Sequence, residues 1–120
     1  MKKGNYLGTE IDGSWWKRYR AAGFFARGSG EFWMDETGIG FRRLLTEAPL
    51  TIPWGDITGA RLGTWHAGQW VLGRPILKVD FRRGGRPLCA GFCLSRGRHR
   101  DDRQRMEQLV ADLNRKLATR

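Results

Sequence analysis

Histidine, cysteine and tryptophan give this chain its chemical reach, and their spacing limits what they can do together. His66 and His99 are its histidines, and no Ser, Cys or carboxylate stands beside either in a recognised nucleophile or metal motif. Cys89 and Cys93 lie in the apolar, strand-like run Pro87-Leu88-Cys89-Ala90-Gly91-Phe92-Cys93-Leu94. On a strand that separation spans about 13 Å, beyond disulfide reach and too wide for two ligands of one zinc ion. Buried or half-buried free thiols are expected, with no metal and no cofactor. The glycines are scattered at turns and build no phosphate-binding loop. The sequence therefore predicts a protein that is not an enzyme. The aromatic residues offer the better lead. Trp65, His66 and Trp70 share the longest connection between predicted elements, residues 63–74. Trp is enriched at binding hot spots, so these three are the candidate partner-binding residues, for a protein partner or for self-association into an oligomer.

Cations are the second resource. The net charge is +10, and residues 1–27 carry +4, residues 28–95 carry +2 and residues 96–120 carry +4. Such a distribution describes a nearly balanced scaffold with basic flanks able to meet phosphate. If the flanks converge, Lys17, Arg18 and Arg20 stand near Arg96, Arg98 and Arg100, with Trp15 and Trp16 beside them. That surface would suit peripheral contact with anionic lipid, each cation contributing about 1 kcal/mol. The alternative use of the same flanks is nucleic-acid binding. Lys2 and Lys3 are followed by no apolar stretch, and no apolar run approaches the ~20 residues of a transmembrane span, so a cytoplasmic protein is expected.

These residues must be positioned by a small body: 120 residues and 13.8 kDa allow one domain that buries about two-thirds of its surface. Residues 1–13 are polar and glycine-containing and read as a flexible tail. A basic aromatic segment follows over 14–27. Ser14 there caps a short helix ending at Gly23, or the aromatics form a strand. From Gly30 the grammar is β. Glu31–Asp35 alternates, Glu36-Thr37-Gly38 turns, and Ile39–Leu45 answers it. Leu50–Ile52, a corner at Pro53, and Ile57–Leu62 come next. After the Trp-rich connection, Leu77, Val79 and Phe81 alternate with Lys78, Asp80 and Arg82. Gly84-Gly85 then turns into a strand whose inner face is Leu88, Ala90, Phe92 and Leu94. The period changes at the end: Met106, Leu109, Val110, Leu113 and Leu117 make one apolar stripe, predicting an amphipathic helix over 101–117. Trp33, Leu44, Cys89 and Cys93 fall opposite the core positions. They need a cover, either the Trp15/Trp16/Tyr19 segment or a second subunit.

Gly30 to Phe41 follows the pattern G-x-hydrophobic-x-hydrophobic-x-x-x-G-hydrophobic-x-F, and Ile52-Pro53-Trp54-Gly55-Asp56-Ile57 the corner I-P-hydrophobic-x-D-I. In these motifs and in element order, residues 28–117 resemble the bacterial PH-like and GRAM-type domains. The resemblance implies a mainly β fold, an antiparallel barrel of about seven strands closed by one C-terminal helix, with residues 28–120 as the domain. It also implies a non-enzymatic binding module. Lipid-binding members carry a Lys on the first strand of the first hairpin and Lys/Arg-x-Arg on the second. Here the first strand and turn hold Glu31, Asp35 and Glu36, and Arg42 and Arg43 alternate to opposite faces, which argues against a specific inositol-phosphate site. The two uses of charge and aromatics separate by salt. Binding through the basic flanks should weaken steeply between about 50 and 200 mM salt in a gel-shift series, whereas an aromatic contact should hardly respond.

Overall fold

The computed structural model describes residues 2–20, 28–43, 49–94 and 100–119. The described residues form ten strands and one helix: β1 (Lys2–Ile11), β2 (Ser14–Arg18), β3 (Gly28–Met34), β4 (Gly38–Arg43), β5 (Leu50–Pro53), β6 (Ile57–Gly63), β7 (Trp65–His66), β8 (Gln69–Trp70), β9 (Ile76–Arg83), β10 (Arg86–Cys93) and α1 (Arg100–Ala118). A single 3-10 turn, Trp54–Asp56, fills the corner after Pro53. The main sheet runs β5-β4-β3-β1-β10-β9-β6, with β2 also paired to β1; β7 and β8 form a separate hairpin. All its pairings are antiparallel. This is the mainly β, PH-like architecture that the pattern of elements implied.

The expected tail is the main correction. Lys2–Ile11 is a strand in the middle of the sheet, pairing β3 through residues 2–6 and β10 through residues 5–11. β2 replaces the possible helix after Ser14 and joins the same sheet, so the body does not begin at residue 28. The strand escaped sequence reading because its few apolar residues, Tyr6, Leu7 and Ile11, do not alternate. Tyr6 enters the main core and Leu7 a second cluster on the opposite face, with Ile76, Cys93 and Val71. A bulge at Tyr6–Thr9, with Gly8 at φ 95°, separates them from Ile11, which returns to the main core, and breaks the alternation on which a strand is recognised.

The sheet curves around one core in which the rings of Tyr6, Phe32, Phe41 and Phe92 meet at centroid distances of 5.2–6.0 Å. Leu77, Val79 and Phe81, the inner face of Leu88, Ala90, Phe92 and Leu94, and the helix stripe all lie in it or pack against it; Tyr6, Leu50 and Trp54 join them. Helix α1 closes this core with Met106, Leu109 and Leu113, its sequence stripe. It also protects the edge strand β6. The Asn114 side chain accepts from the Ala60 N–H and donates to the Ala60 carbonyl, both at 3.0 Å, as a neighbouring strand would. The first hairpin turns on Asp35, whose carboxylate accepts from the Thr37 and Gly38 amides and the Thr37 hydroxyl. The Thr37 bonds are the main reason its pKa lies below the usual value. Leu113 and Phe92 are both fully buried, and replacing either by Ala should cost ~2–5 kcal/mol in chemical denaturation. A near-neutral result would break the barrel-and-helix packing described here.

Candidate functional site

The site grows from the outer face of β1, β10, β9 and β6. Alternation on β10 sends Leu88, Ala90 and Phe92 into the core and leaves Cys89, Gly91 and Cys93 outside. A bare outer face here would expose apolar surface and two thiols. The Trp-rich connection covers it by folding into the β7–β8 hairpin, so neither the Trp15–Tyr19 segment nor a second subunit is needed over Cys89 and Cys93. Tyr19 instead packs against the main core. Among the expected outer-face residues, Leu44 lies outside the described residues, and Trp33 lies across Gly40 of β4.

Two features let the hairpin dock. Gly91 has no side chain, and a Cβ there would lie 2.3 Å from the His66 ring, so the imidazole occupies the space glycine leaves. Polar ties then fix the hairpin to β1. His66 Nε2 donates to the Gly8 carbonyl at 2.9 Å, the Gln69 amide to the Leu7 carbonyl at 2.7 Å, and the Ala67 N–H to Glu10 Oε2 at 2.7 Å. Arg18 Nη2 donates to the Ala67 carbonyl from the other side. These bonds hold the turn Ala67-Gly68 at φ 52° and 78°, a conformation a non-glycine residue keeps only when its surroundings determine it.

Hairpin alternation sets the remaining directions. Trp65 pairs with Trp70 and His66 with Gln69. His66 and Gln69 reach down to β1, so both tryptophans project from the opposite side, 50% and 58% exposed. Trp16 is 63% exposed. Of the predicted partner-binding residues, the structure thus sets Trp65 and Trp70 outside and His66 beneath them, fully buried. Burial holds the His66 imidazole well below its ordinary pKa, against the opposing pull of the Gly8 carbonyl and Glu10.

Beside Trp65 opens a cavity of about 410 Å³ lined by Glu10, Arg61, Lys78, Asp80, Leu88 and Cys89, among others. Its charges are organised. Arg61 is held by Asp80 through bonds of 3.1 and 3.2 Å, and Lys78 Nζ donates to the Trp65 carbonyl at 3.0 Å. Burial pushes the Cys89 thiol up to about 12. Sequence reading did not find this cavity. Lys78 and Asp80 were legible as outward positions, but Glu10 sat in the supposed tail, and no local spacing joins it to His66 or Cys89.

The predicted basic surface is treated differently by the fold. Lys17 and Arg20 are exposed, while Arg18 is engaged with the hairpin. Arg96 and Arg98 lie outside the described residues, as does the side chain of Arg100. At the first hairpin, a second cavity is lined by Glu31, Trp33, Met34, Asp35 and Arg42. Its two carboxylates against one guanidinium agree with the argument against an inositol-phosphate site.

With this geometry in view, comparison with known proteins gives the fold its family. Residues 1–114 match the bacterial PH domain-like family, and the chain belongs to it. The match includes β1 and β2, as the sheet does. Comparison with the curated proteins and with the solved structures finds no significant match. PH-like domains are in general binding modules without catalysis, and no described helix is long and apolar enough to cross a membrane.

Docking of His66 over Gly91 is directly testable. Gly91→Ala should displace the ring and cost ~1–3 kcal/mol in denaturant unfolding, with loss of amide-exchange protection in residues 65–70. Unchanged stability and protection would mean that the hairpin is not seated as described.

Proposed function

We propose that this protein is a non-enzymatic PH-like module that binds a protein surface, a second copy of itself included, through Trp65 and Trp70. One observation carries the reading: two tryptophans project together from a hairpin whose backbone is tied to β1 through His66, Ala67 and Gln69. Large rings displayed on a rigid support lose little conformational freedom on binding, which is how aromatic hot spots gain their weight. Trp16 of β2 is exposed as well, and the exposed Lys17 and Arg20 carry positive charge that would favour an acidic partner or an anionic membrane.

The test separates display from packing. Replacing Trp65 and Trp70 together by Ser should leave stability within about 0.5 kcal/mol, as for exposed positions. The same change should abolish concentration-dependent association in sedimentation velocity, or crosslinking to a protein partner from a photoreactive residue placed at 70. A cooperative loss of folding would make the rings part of the packed body. Association and crosslinking at wild-type levels in the folded double variant would remove them from the binding surface.

A further inference from the structure

Three buried side chains from distant parts of the chain converge under the hairpin: Glu10 of β1, His66 of β7 and Cys89 of β10, with their ligand atoms all within 4.8 Å of one another. The hydrogen bonds around them leave a specific gap. A carbonyl oxygen only accepts, so the 2.9 Å contact with Gly8 places the imidazole proton on Nε2. Nδ1 is then the lone-pair nitrogen. It is fully buried, has no hydrogen-bond partner, and faces Glu10 Oε2 at 3.9 Å, too far for a hydrogen bond. The Nδ1 lone pair therefore meets no donor, while Oε2 opposite it already accepts from the Ala67 N–H at 2.7 Å and has no proton to offer. An orphaned buried nitrogen of this kind is rare and calls for a physical explanation.

We infer that Glu10, His66 and Cys89 form a binding site for a divalent metal ion of the zinc type. The donor set is one imidazole nitrogen, one carboxylate oxygen and one sulfur, the combination that suits zinc. Bond lengths of ~2.0–2.3 Å around a tetrahedral ion place adjacent ligand atoms ~3.3–3.7 Å apart, so the cluster closes by about 1 Å of side-chain movement. The outer partners are those a metal site uses. A backbone carbonyl fixes the histidine tautomer, and the Ala67 N–H orients the carboxylate at 2.7 Å. On binding, the Cys89 thiol releases its proton to solvent and the sulfur joins the ion as thiolate, which with Glu10 matches the ion's two positive charges.

The neighbouring cations are accommodated. Arg61 is held by Asp80 and directs Nη2 at the Cys89 sulfur from 3.8 Å, and Lys78 is turned to the Trp65 carbonyl. Glu10 and Cys89 also line the cavity of about 410 Å³. Three protein ligands leave a fourth position, and it would open there, to water or to a donor from a bound molecule.

Reduced wild-type protein, titrated with Zn²⁺ by calorimetry and with Co²⁺ by absorption, should take up one equivalent of either ion. The Co²⁺ form should show thiolate-to-metal charge transfer and the visible bands of tetrahedral coordination. Cys89→Ser should abolish the charge transfer, and both Cys89→Ser and Glu10→Gln should weaken binding at least about tenfold. Cys93→Ala, on the same strand outside the cluster, should change neither. Circular dichroism checks that each variant folds; should a variant fail, the wild-type Co²⁺ spectrum decides alone. No saturable one-equivalent uptake, no thiolate band in the wild type, or unaltered affinity in folded Cys89→Ser would overturn the site.

Discussion

Burial of β1 on both faces is the constraint on which the rest of this molecule depends. A strand between β3 and β10 has its hydrogen bonds satisfied by the sheet, and Tyr6 is satisfied by the core. Its other face carries Leu7 and Glu10, next to Cys89 and Cys93 of β10. Water over that face would leave apolar surface exposed, and a dry cover without polar partners would strand the Glu10 carboxylate and the bulged carbonyls of Leu7 and Gly8. The β7–β8 hairpin answers both demands, bringing Ala67 and Val71 as apolar cover and His66, Gln69 and the Ala67 amide as donors. Few other covers would serve, because the donors must meet a bulge whose carbonyls point off the ladder.

The exposed features of this end of the molecule follow from that docking. The face of the hairpin that satisfies β1 fixes the face that cannot, so Trp65 and Trp70 are exposed because His66 and Gln69 are not. Raising the hairpin above the sheet also leaves the cavity at its side, walled by Trp65 and floored by Cys89 and Lys78. The positive φ of Ala67 shows how firmly the arrangement is held, since Glu10 on one side and Arg18 on the other fix the peptide in a conformation its side chain disfavours. Aromatic display, cavity and the buried Glu10–His66–Cys89 cluster are consequences of one packing event.

The first hairpin gives a useful contrast. Its turn is locked by Asp35, Trp33 lies across Gly40, and the Trp54 indole donates to the Asp35 carbonyl at 2.8 Å, so this end is well built. Its cavity is nonetheless lined by acidic groups with a single guanidinium. A rigid hairpin is thus not enough for anion recognition, because the field at the site is set by the side chains around it. At the far edge, Asn114 occupies the Ala60 backbone and leaves β6 poorly suited to pairing with another chain.

By itself the sequence determined what periodicity can carry. The alternation of Leu77, Val79 and Phe81, the turns at Gly38 and Gly84-Gly85, the corner at Pro53 and the stripe from Met106 to Leu117 placed the strands, the helix and the core, because each reflects a face in contact with one neighbour. It also singled out Trp65, His66 and Trp70, by residue type and loop position. Tertiary structure alone decided the rest. β1 carries only Tyr6, Leu7 and Ile11 as apolar residues, with a bulge at Tyr6–Thr9 in the run, so no period marks it; its strand state comes from partners on either side. The division of labour between His66 and the tryptophans depends on the vacancy at Gly91, which a sequence records only as another glycine. Glu10 meets His66 and Cys89 because a bulge, a hairpin and a pleat bring their side chains to one point, and contacts made across a sheet follow from packing geometry, which no local spacing encodes.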